Sequence, residues 1–415
     1  MKIDLIIIGN ELLNGKIQDL NTQFLAKEIF KYGHEFRQVQ IIADNYEQFT
    51  HALKNSLEKA DIIFTTGGLG PTKDDLTKKM LSDYFHKEVE YNQAAFEITK
   101  KQYDRGNRVY DQEKIDYHNL PLDFKPIYNP IGFAPGIEVV ENEKKIFSLP
   151  GVPSEFQSML TQEILPKIEL SKTLTKHVIV KTWKIPESKI FTKLAPKLWE
   201  DLEKLGEVSS LPHLLGVDIG VKISGFDLNE IQQKEKQILE IIYSTPIKEN
   251  IWHIGPESIE EVIIKIAKKK KIKIGFAESC TGGLCASRMT DISGSSSVFW
   301  GSIISYANEV KSKTLRVSEA TLKDHGAVSI ETAKNMAKGA CHELGVDIVI
   351  STSGIAGPTG GSIEKPVGTV AIGVHVRGKT EAQLYQFHGN RKSLKHKFSE
   401  KALMILLEEL IELKS

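Results

Sequence analysis

The fold is most clearly indicated by the segment IIFTTGGLGPTKDD, residues 62–75. Its first five residues, Ile62–Thr66, have the apolar pattern of a short strand. A glycine-rich loop follows directly, at the position where open α/β sheets bind ligands. Gly67, Gly68 and Gly70 allow the backbone to approach a ligand closely and to turn N–H groups toward an anion. The segment therefore predicts an α/β sheet that carries an anion-binding loop.

The residues before this segment predict the same architecture. Leu5–Ile8 is a continuous apolar run, as expected for a strand that is covered on both faces. A helix is predicted over Asn21–Tyr32, ended by Gly33, and a second strand over Val39–Ala43. Strand-helix-strand repetition with short connections implies a parallel sheet with right-handed crossovers.

The rest of the chain divides into two further regions. From about residue 171 the pattern becomes that of a small α+β domain, 171–250, without a glycine-rich loop. Ser244–Ser258 contains Pro246, Gly255 and Pro256, which favours a linker. A second α/β domain is predicted over 256–415. With 1–170 as the first domain, we expect two α/β domains joined by a small α+β domain.

Composition excludes several classes of protein. The 415 residues include 54 Lys+Arg and 54 Asp+Glu, so the zero net charge excludes a globally basic nucleic-acid binder or an acidic-tail protein. Cys280, Cys285 and Cys341 form no C-x-x-C pair, which argues against a disulfide framework or a structural zinc site. No apolar run has the length of a signal peptide core or a membrane span, so we expect a cytoplasmic protein without membrane association.

Acidic residues follow three predicted strands of the first domain. Asp74 and Asp75 come directly after the glycine-rich loop, Glu11 lies in the loop GNELLNG (9–15), and Asp44 ends the second strand. Carboxylates beside a phosphate site are reasonable if a divalent cation bridges them, because Mg²⁺ commonly uses one or two carboxylates plus substrate phosphates. The alternative is a glycine turn whose aspartates cap the next helix.

Hydroxyl groups and one lysine mark the second α/β domain. AESCTGG (277–283) follows a strand and opens a helix, so its N–H groups and the hydroxyls of Ser279 and Thr281 could bind a phosphate or an oxyanion. In SYANEVK (305–311), Lys311 could lose its proton in a buried pocket and activate a serine. Cys280 is the rival nucleophile. No histidine is placed by the sequence to complete a triad.

Three segments of the first domain resemble a known family. GNELLNGKIQDLNTQFLA, TTGGLGPTKDDLT and FSLPGVPSEF (147–156) resemble the molybdopterin-binding-like N-terminal domain of the competence/damage-inducible CinA proteins. The resemblance implies a three-layer α/β fold shared with molybdopterin-biosynthesis proteins, and hydrolysis of ADP-ribose to AMP and ribose 5-phosphate. It implies a divalent metal ion (Mg, Mn or Co), accompanied by potassium. The implied metal ligands are Asp44, Asp74 and Asp75, with Asp44 and Asp75 also catalytic.

One residue departs from that pattern. The family often has Gly-Asp-Glu where this chain has Gly9-Asn10-Glu11. Asn10 can coordinate through its amide oxygen but brings no charge. The substrate-binding residues expected in this domain are Asn10, Glu11, Gly67, Gly68 and Gly70.

The second α/β domain resembles the C-terminal domain of the same family. The matching strings are AESCTGG, GSSSVFWGSIISYANEVK, HGAVS, SGIAGPTGG and EKPVGTV. This domain also occurs alone as nicotinamide-nucleotide amidase, so the implied reaction is hydrolysis of nicotinamide mononucleotide to nicotinate mononucleotide and ammonia, without a cofactor. The implied catalytic residues are Ser279, Tyr306, Lys311 and Ser353. The implied substrate-binding residues are Thr281, Gly282, Gly283, Gly354 and Arg391, the last as a phosphate partner.

The leading hypothesis is a bifunctional hydrolase of the pyridine nucleotide cycle, acting as a homodimer on small nucleotides. An alternative keeps the deamidase and makes the N-terminal domain a non-catalytic molybdopterin- or nucleotide-binding module, because of Asn10. A third makes the protein an adaptor in competence or the DNA-damage response, although the balanced charge argues against direct nucleic-acid binding. The sequence leaves open which of Ser279, Thr281 and Ser353 is the nucleophile; we favour Ser279 with Lys311 as its base and Tyr306 orienting the pair.

Overall fold

A computed structural model describes residues 1–72, 75–214 and 216–413. It confirms the α/β class: sheets of six and five strands are each covered by helices on both faces. The chain packs into two compact units. Unit 1 comprises Met1–His177, Lys204–Glu207 and Lys222–Glu240; unit 2 comprises Val178–Glu203, Val208–Val221 and Ile241–Ser415. The division into domains 1–170, 171–250 and 256–415 stays a prediction.

The first eight strands form the sheets of unit 1. They are β1 (Lys2–Ile8), β2 (Glu35–Ile42), β3 (Ile62–Thr66), β4 (Val89–Tyr91), β5 (Asn119–Pro121), β6 (Lys125–Ile127), β7 (Gly136–Glu141) and β8 (Lys144–Leu149). The main sheet has the order β2-β1-β3-β8-β7-β6, and β4 pairs with β5 separately. The predicted parallel pairing holds for β2, β1, β3 and β8. Strand β7 pairs antiparallel with β8, and β6 pairs antiparallel with β7. Asn142 and Glu143, both at positive φ, form the two-residue turn that reverses the chain between β7 and β8.

Helices cover both faces of this sheet. They are α1 (Asn10–Leu13), α2 (Asn21–Lys31), α3 (Tyr46–Lys59), α4 (Thr77–Phe85), α5 (Gln93–Arg105) and α6 (Pro153–Met159). Successive residues of a strand point to opposite faces. On β1, Ile6 therefore packs in one core with Phe49 of α3, and Ile7 packs in the other with Leu25 of α2 and Phe156 of α6. This arrangement explains why β1 is apolar throughout Leu5–Ile8, while the buried Asp4 is paired with Arg37.

A four-stranded sheet follows, with the order β10-β11-β9-β12. Its strands are β9 (Leu174–Thr182), β10 (Glu207–Pro212), β11 (Val217–Gly225) and β12 (Ile251–Ile254), and the helices of this region are α7 (Glu187–Lys189), α8 (Leu198–Glu203) and α9 (Leu228–Tyr243). The predicted linker Ser244–Ser258 differs from the structure, because it contains β12. Ile251 and Ile254 of that strand pair antiparallel with Thr182 and Val180.

The last sheet, in unit 2, has the order β14-β13-β15-β16-β17. Its strands are β13 (Ile274–Glu278), β14 (Phe299–Ile304), β15 (Ile348–Gly354), β16 (Thr369–Val376) and β17 (Lys379–Gln386). The strands β14, β13 and β15 are parallel. Strand β16 pairs antiparallel with β15, and β17 pairs antiparallel with β16. The carboxyl ends of β13 and β15 therefore meet at one edge, which is where polar groups can converge on a ligand.

Six helices complete unit 2. They are α10 (Ile259–Lys270), α11 (Leu284–Thr290), α12 (Asn308–Leu315), α13 (Glu319–His325), α14 (Ile330–Leu344) and α15 (Arg391–Glu412). Phe276 of β13 packs in a core with α10 and α15, and its neighbour Ala277 packs on the opposite face with α14. No helix within the described ranges combines the length and the apolar composition that crossing a membrane requires.

Candidate functional site

The loop that carries Ser279 is fixed to the neighbouring strand. Ser279 follows the last residue of β13, and its amide donates a hydrogen bond to the carbonyl of Thr352 on β15 (2.9 Å). The hydroxyls of Thr281 and Thr352 lie 2.7 Å apart. Gly282 and Gly283 have φ values of 61° and 94°, and such backbone conformations favour glycine. The loop is therefore held between two strands before the chain enters α11.

Lys311 extends from α12 to Ser279. Its side chain is almost completely buried, with the residue 1 % exposed. The ammonium Nζ donates hydrogen bonds to Ser279 Oγ (3.1 Å) and to the carbonyls of Ser305 (2.8 Å) and Tyr306 (3.1 Å). Within the described residues it has no carboxylate in salt-bridge contact, and burial lowers the pKa of Lys311. Because burial disfavours the charged form, this lysine can act as a base at lower pH than an exposed lysine.

Glu278 is a buried residue of this site that our sequence analysis missed. The residue is 0 % exposed, and its carboxylate accepts hydrogen bonds from the amides of Gly283 (2.9 Å), Cys285 (3.1 Å) and Ala286 (3.0 Å). The hydroxyl of Ser302 adds a fourth bond (3.1 Å). An acid at the strand end, a short loop before α11, was the available signal, since a helix N-terminus favours negative charge.

The hydrogen bonds of Glu278 reduce the number of backbone amides that are free to bind an oxyanion. The amide of Gly283 is bonded to that carboxylate, and the amide of Gly282 donates to the carbonyl of Ser279 (3.1 Å). Of loop residues 280–283, only Cys280 and Thr281 have amides without an acceptor among the described residues. Any substrate contact of Gly282 and Gly283 through their amides must replace an internal hydrogen bond.

Ser279 and Lys311 open into a cavity of about 180 Å³. Tyr306, Ser353, Gly354 and Arg391 also line it, so the structure brings these six predicted residues together. Thr281, Gly282 and Gly283 are not part of its wall, although they continue the same loop.

The other predicted side chains of this cavity have definite partners. Arg391 donates to the carbonyl of Gly357 (2.8 Å) and to the Tyr306 hydroxyl (3.1 Å). Tyr306 contacts Lys311 through its carbonyl, so the hydroxyl group pairs with Arg391 and not with the lysine. The Ser353 hydroxyl donates to the carbonyl of Ala327 (2.6 Å). Ser279 is thus the hydroxyl that faces the Lys311 amine, while Ser353 faces a carbonyl.

Cys280 lies beside Ser279 but is poorly suited to thiolate chemistry. It is fully buried, and burial raises the pKa of its thiol to about 12. A nucleophilic cysteine needs the opposite shift, because the thiolate is the reactive form. The geometry therefore favours Ser279 over Cys280.

The acidic residues of unit 1 line a second cavity, of about 680 Å³. The side chains of Glu11, Asp44 and Asp75 all line it. This agrees with their predicted positions after three strands that are neighbours in the sheet. Gly67, Gly68 and Gly70 form part of the same wall, whereas Asn10 does not. The structure therefore brings three carboxylates and the glycine-rich loop to one edge of the sheet.

Local hydrogen bonds fix two of these carboxylates. Asp44 accepts from the backbone amide of Asn10 (2.9 Å). Asp75 accepts from the amide of Thr72 (2.9 Å) and also from the Thr72 hydroxyl. A β-carbon on Gly67 would lie 2.1 Å from the carbonyl oxygen of Ile8, so the close approach of this loop to β1 requires glycine.

The donor set fits a cation that is bound partly by its substrate. Among the described residues, no group of three or more His, Cys, Asp or Glu side chains is arranged to hold a metal ion. Asp74 lies outside the described residues. Asp44 and Asp75 on the cavity wall match the need of Mg²⁺, which usually takes one or two carboxylates and completes its shell with water and phosphate oxygens.

Tyr117, Phe133 and Glu155 line this cavity and were not predicted. Burial, reinforced by nearby negative charges that include those of Asp75 and Glu155, raises the pKa of Tyr117. These residues come from irregular segments and from α6, far from the glycine-rich loop in sequence. No quoted motif covers Tyr117 or Phe133, whereas Glu155 lies within the quoted segment FSLPGVPSEF (147–156), which was the available signal for it.

Two protein-family models match this chain, one in each half. Residues 4–170 match the model described as "Probable molybdopterin binding domain", and residues 256–410 match the "CinA C-terminal domain". A CinA-like protein of Chloroherpeton thalassium is 36% identical over 98% of this chain and 99% of its own length. A CinA-like protein of Kosmotoga olearia is 33% identical over the full length of both.

Among solved structures, the competence/damage inducible protein CihA from Agrobacterium tumefaciens is similar to part of the chain. It is 35% identical, covers 39% of this chain and 100% of its own, and has a TM-score of 0.36. The full-length relatives and the two family models together show that this chain belongs to the CinA family of competence/damage-inducible proteins.

Proposed function

We propose that the C-terminal part of the chain is an amidase that hydrolyses nicotinamide mononucleotide to nicotinate mononucleotide and ammonia. The observation that carries the proposal is the 3.1 Å contact between Lys311 Nζ and Ser279 Oγ in a buried position. A serine hydroxyl is unreactive near neutral pH unless a neighbouring base takes its proton. The substrate class comes from the resemblance to nicotinamide-nucleotide amidase.

The environment of Lys311 suits a neutral amine. The carbonyls of Ser305 and Tyr306 accept its two remaining N–H groups, and the third direction faces the Ser279 hydroxyl. In the neutral form that direction is a lone pair. Lys311 then takes the serine proton as Ser279 Oγ forms a bond to the carboxamide carbon, which gives a tetrahedral oxyanion.

Collapse of this intermediate breaks the carbon–nitrogen bond. Lys311 returns the proton to the leaving nitrogen, ammonia departs, and the nicotinoyl group remains as an ester on Ser279. Water then attacks the ester with Lys311 again as base, which releases the carboxylic acid and restores the serine. The amides of Cys280 and Thr281 are the available donors for the oxyanion.

For the N-terminal part we propose hydrolysis of the pyrophosphate bond of ADP-ribose to AMP and ribose 5-phosphate. Asp44 and Asp75 would hold a divalent cation, and the backbone of residues 67–70 would bind the phosphates. Such a cation supplies the positive charge that allows a pyrophosphate to approach carboxylates. The 680 Å³ cavity lies within the range of about 300–1,000 Å³ that is usual for small-molecule sites.

A second candidate for this part is a nucleotide-binding module without turnover. Two observations favour it. Asn10 stands where the family often has an acid, and the described residues contain no cluster of three potential metal ligands. Binding without hydrolysis needs the cavity and the glycine-rich loop but not the cation.

Product identification tests both halves. The full chain is incubated with nicotinamide mononucleotide, and separately with ADP-ribose plus Mg²⁺, Mn²⁺ or Co²⁺, and the products are identified by chromatography. Nicotinate mononucleotide and ammonia support the amidase, and their absence contradicts it. ADP-ribose that binds but stays intact with each metal supports the binding module.

A further inference from the structure

The cavity at Ser279 is too small for a whole mononucleotide. Its volume of about 180 Å³ is below the range of about 300–1,000 Å³ usual for small-molecule sites. The carboxamide must reach Ser279 inside it, so the phosphate end of the nucleotide has to lie outside. This step rests on the amidase proposed above.

The start of α11 cannot serve as the phosphate site. The Glu278 carboxylate already accepts from the amides of Gly283, Cys285 and Ala286. A phosphate placed there would have to displace a buried carboxylate of the same charge. The phosphate therefore needs cationic side chains on another element.

Two cations of α15 lie near the loop that carries Ser279. Arg391 lines the cavity, and Lys395 lies four residues later, on the same face of the helix. The Lys395 ammonium nitrogen would be 3.6 Å from a β-carbon added to Gly282, which places it over the loop that carries Ser279. Lys395 is partly buried, and among the described residues no carboxylate lies in salt-bridge contact with it.

The side chains at the start of α15 are positively charged, although a helix N-terminus favours negative charge. The first turn has no acidic residue, while Arg391, Lys392, Lys395 and Lys397 lie within its first seven positions. Cations at a helix N-terminus are unfavourable, because the helix dipole is positive there. A bound anion would offset this charge, which agrees with a ligand phosphate at the same place.

We propose that Lys395, together with Arg391, binds the 5′-phosphate of the mononucleotide outside the cavity and makes the enzyme select nucleotides over nucleosides. Lys395 is then a specificity-determining residue that does not touch the reacting amide. Its ammonium contributes to phosphate binding equally in the ground state and in the transition state, so its loss should raise KM and leave kcat unchanged.

The test compares nicotinamide mononucleotide with nicotinamide riboside, which lacks the phosphate, in the full chain. Lys395→Ala should raise KM for the nucleotide about tenfold or more, with kcat within about twofold, because a charged hydrogen bond to phosphate is lost. The same variant should leave the riboside unaffected, and Lys395→Arg should retain most of the nucleotide affinity. Lys338→Ala, at an exposed position of α14 outside the cavity wall, is the control and should behave as the wild type.

Two results would overturn the assignment. One is a Lys395→Ala variant with the nucleotide KM of Lys338→Ala; the other is an equal loss on nucleotide and riboside, which indicates a structural role. Calorimetric titration with the nucleotide separates this proposal from the amidase itself. If the wild type binds nicotinamide mononucleotide without hydrolysing it and Lys395→Ala weakens that binding, the amidase is wrong and the phosphate site stands.

Discussion

The cavity at Ser279 and the cavity at Asp75 occupy equivalent places, at the carboxyl ends of parallel strands, but differ in charge and size. The first is about 180 Å³ and contains a buried lysine in contact with a serine. The second is about 680 Å³ and is lined by Glu11, Asp44 and Asp75. The Ser279 cavity contains the proposed nucleophile and base among its own side chains, whereas the Asp75 cavity presents carboxylates that the proposed phosphate substrate would approach only with a cation. Equivalent positions in two α/β sheets thus prepare two kinds of chemistry.

The largest effect expected from this comparison concerns the Ser279–Lys311 pair. Ser279→Ala and Lys311→Ala should each lower kcat for nicotinamide mononucleotide by about three orders of magnitude or more, a barrier increase of about 4 kcal/mol. The double variant should lose little more, because the two residues act as a unit. Cys280→Ala should remain active in the same steady-state assay, since its thiol is buried and protonated. An inactive Cys280→Ala with a normal Ser279→Ala would establish a thiol mechanism instead.

The next effect concerns the cation dependence of the second cavity. Chelator, or Asp75→Asn, should lower ADP-ribose cleavage by more than about 100-fold, because loss of a direct ligand should exceed the 10- to 100-fold cost of losing its supporting partner. Deamidation should not change, since it uses the side chains around Lys311. Asp104→Asn, at an exposed position outside the cavity wall, is the control. ADP-ribose cleavage that continues in the presence of chelator would show that the Asp75 cavity, like the Ser279 cavity, needs no cation.

A smaller effect is expected at Glu278. Glu278→Gln should lower the free energy of unfolding by about 1–3 kcal/mol, because the new amide group turns a donor toward backbone N–H groups in a buried place. Urea unfolding measures the change, and Glu319→Gln at an exposed position is the control. Stability equal to that of the control would mean that the carboxylate does not hold the Ser279 loop.

The smallest effect is a pH dependence of stability due to Lys311. Burial lowers its pKa in the folded state below the ordinary value of 10.5, so the folded state binds fewer protons than the unfolded state between those two values. The free energy of unfolding should therefore rise with pH across that window, by at most about 1.4 kcal/mol per pH unit from this group. Below the lowered pKa the lysine is charged in both states and contributes no slope.

The measurement is urea unfolding of the wild type and of Lys311→Met at a series of pH values. Both proteins also carry Cys280→Ala, because the Cys280 thiol and the Lys311 ammonium interact electrostatically; the difference between the two then isolates the lysine. Curves that stay parallel throughout the alkaline range would show that burial does not shift this group.

Local pattern predicted much of the fold. Apolar runs such as Leu5–Ile8 and Ile62–Thr66 are buried strands, because a strand covered on both faces needs no polar alternation. The antiparallel strands β7 and β6 and the strand β12 were not predicted. Their pairing depends on turns and partner strands outside any short window, and the Pro and Gly residues around β12 predict a linker there.

The sequence by itself determined the family, the α/β class and the residues that could carry chemistry, since glycine-rich loops and the acids and hydroxyls after strands are local features. Only the tertiary structure decided what each group faces. Lys311 is hydrogen-bonded to Ser279, which is 32 positions away in the sequence, and Arg391 is hydrogen-bonded to Tyr306, which is 85 positions away. It also decided that Glu278 occupies the amides at the start of α11. Burial and hydrogen-bond partners arise from packing between distant segments, so the protonation state of a lysine and the free donors of a loop are properties of the folded chain.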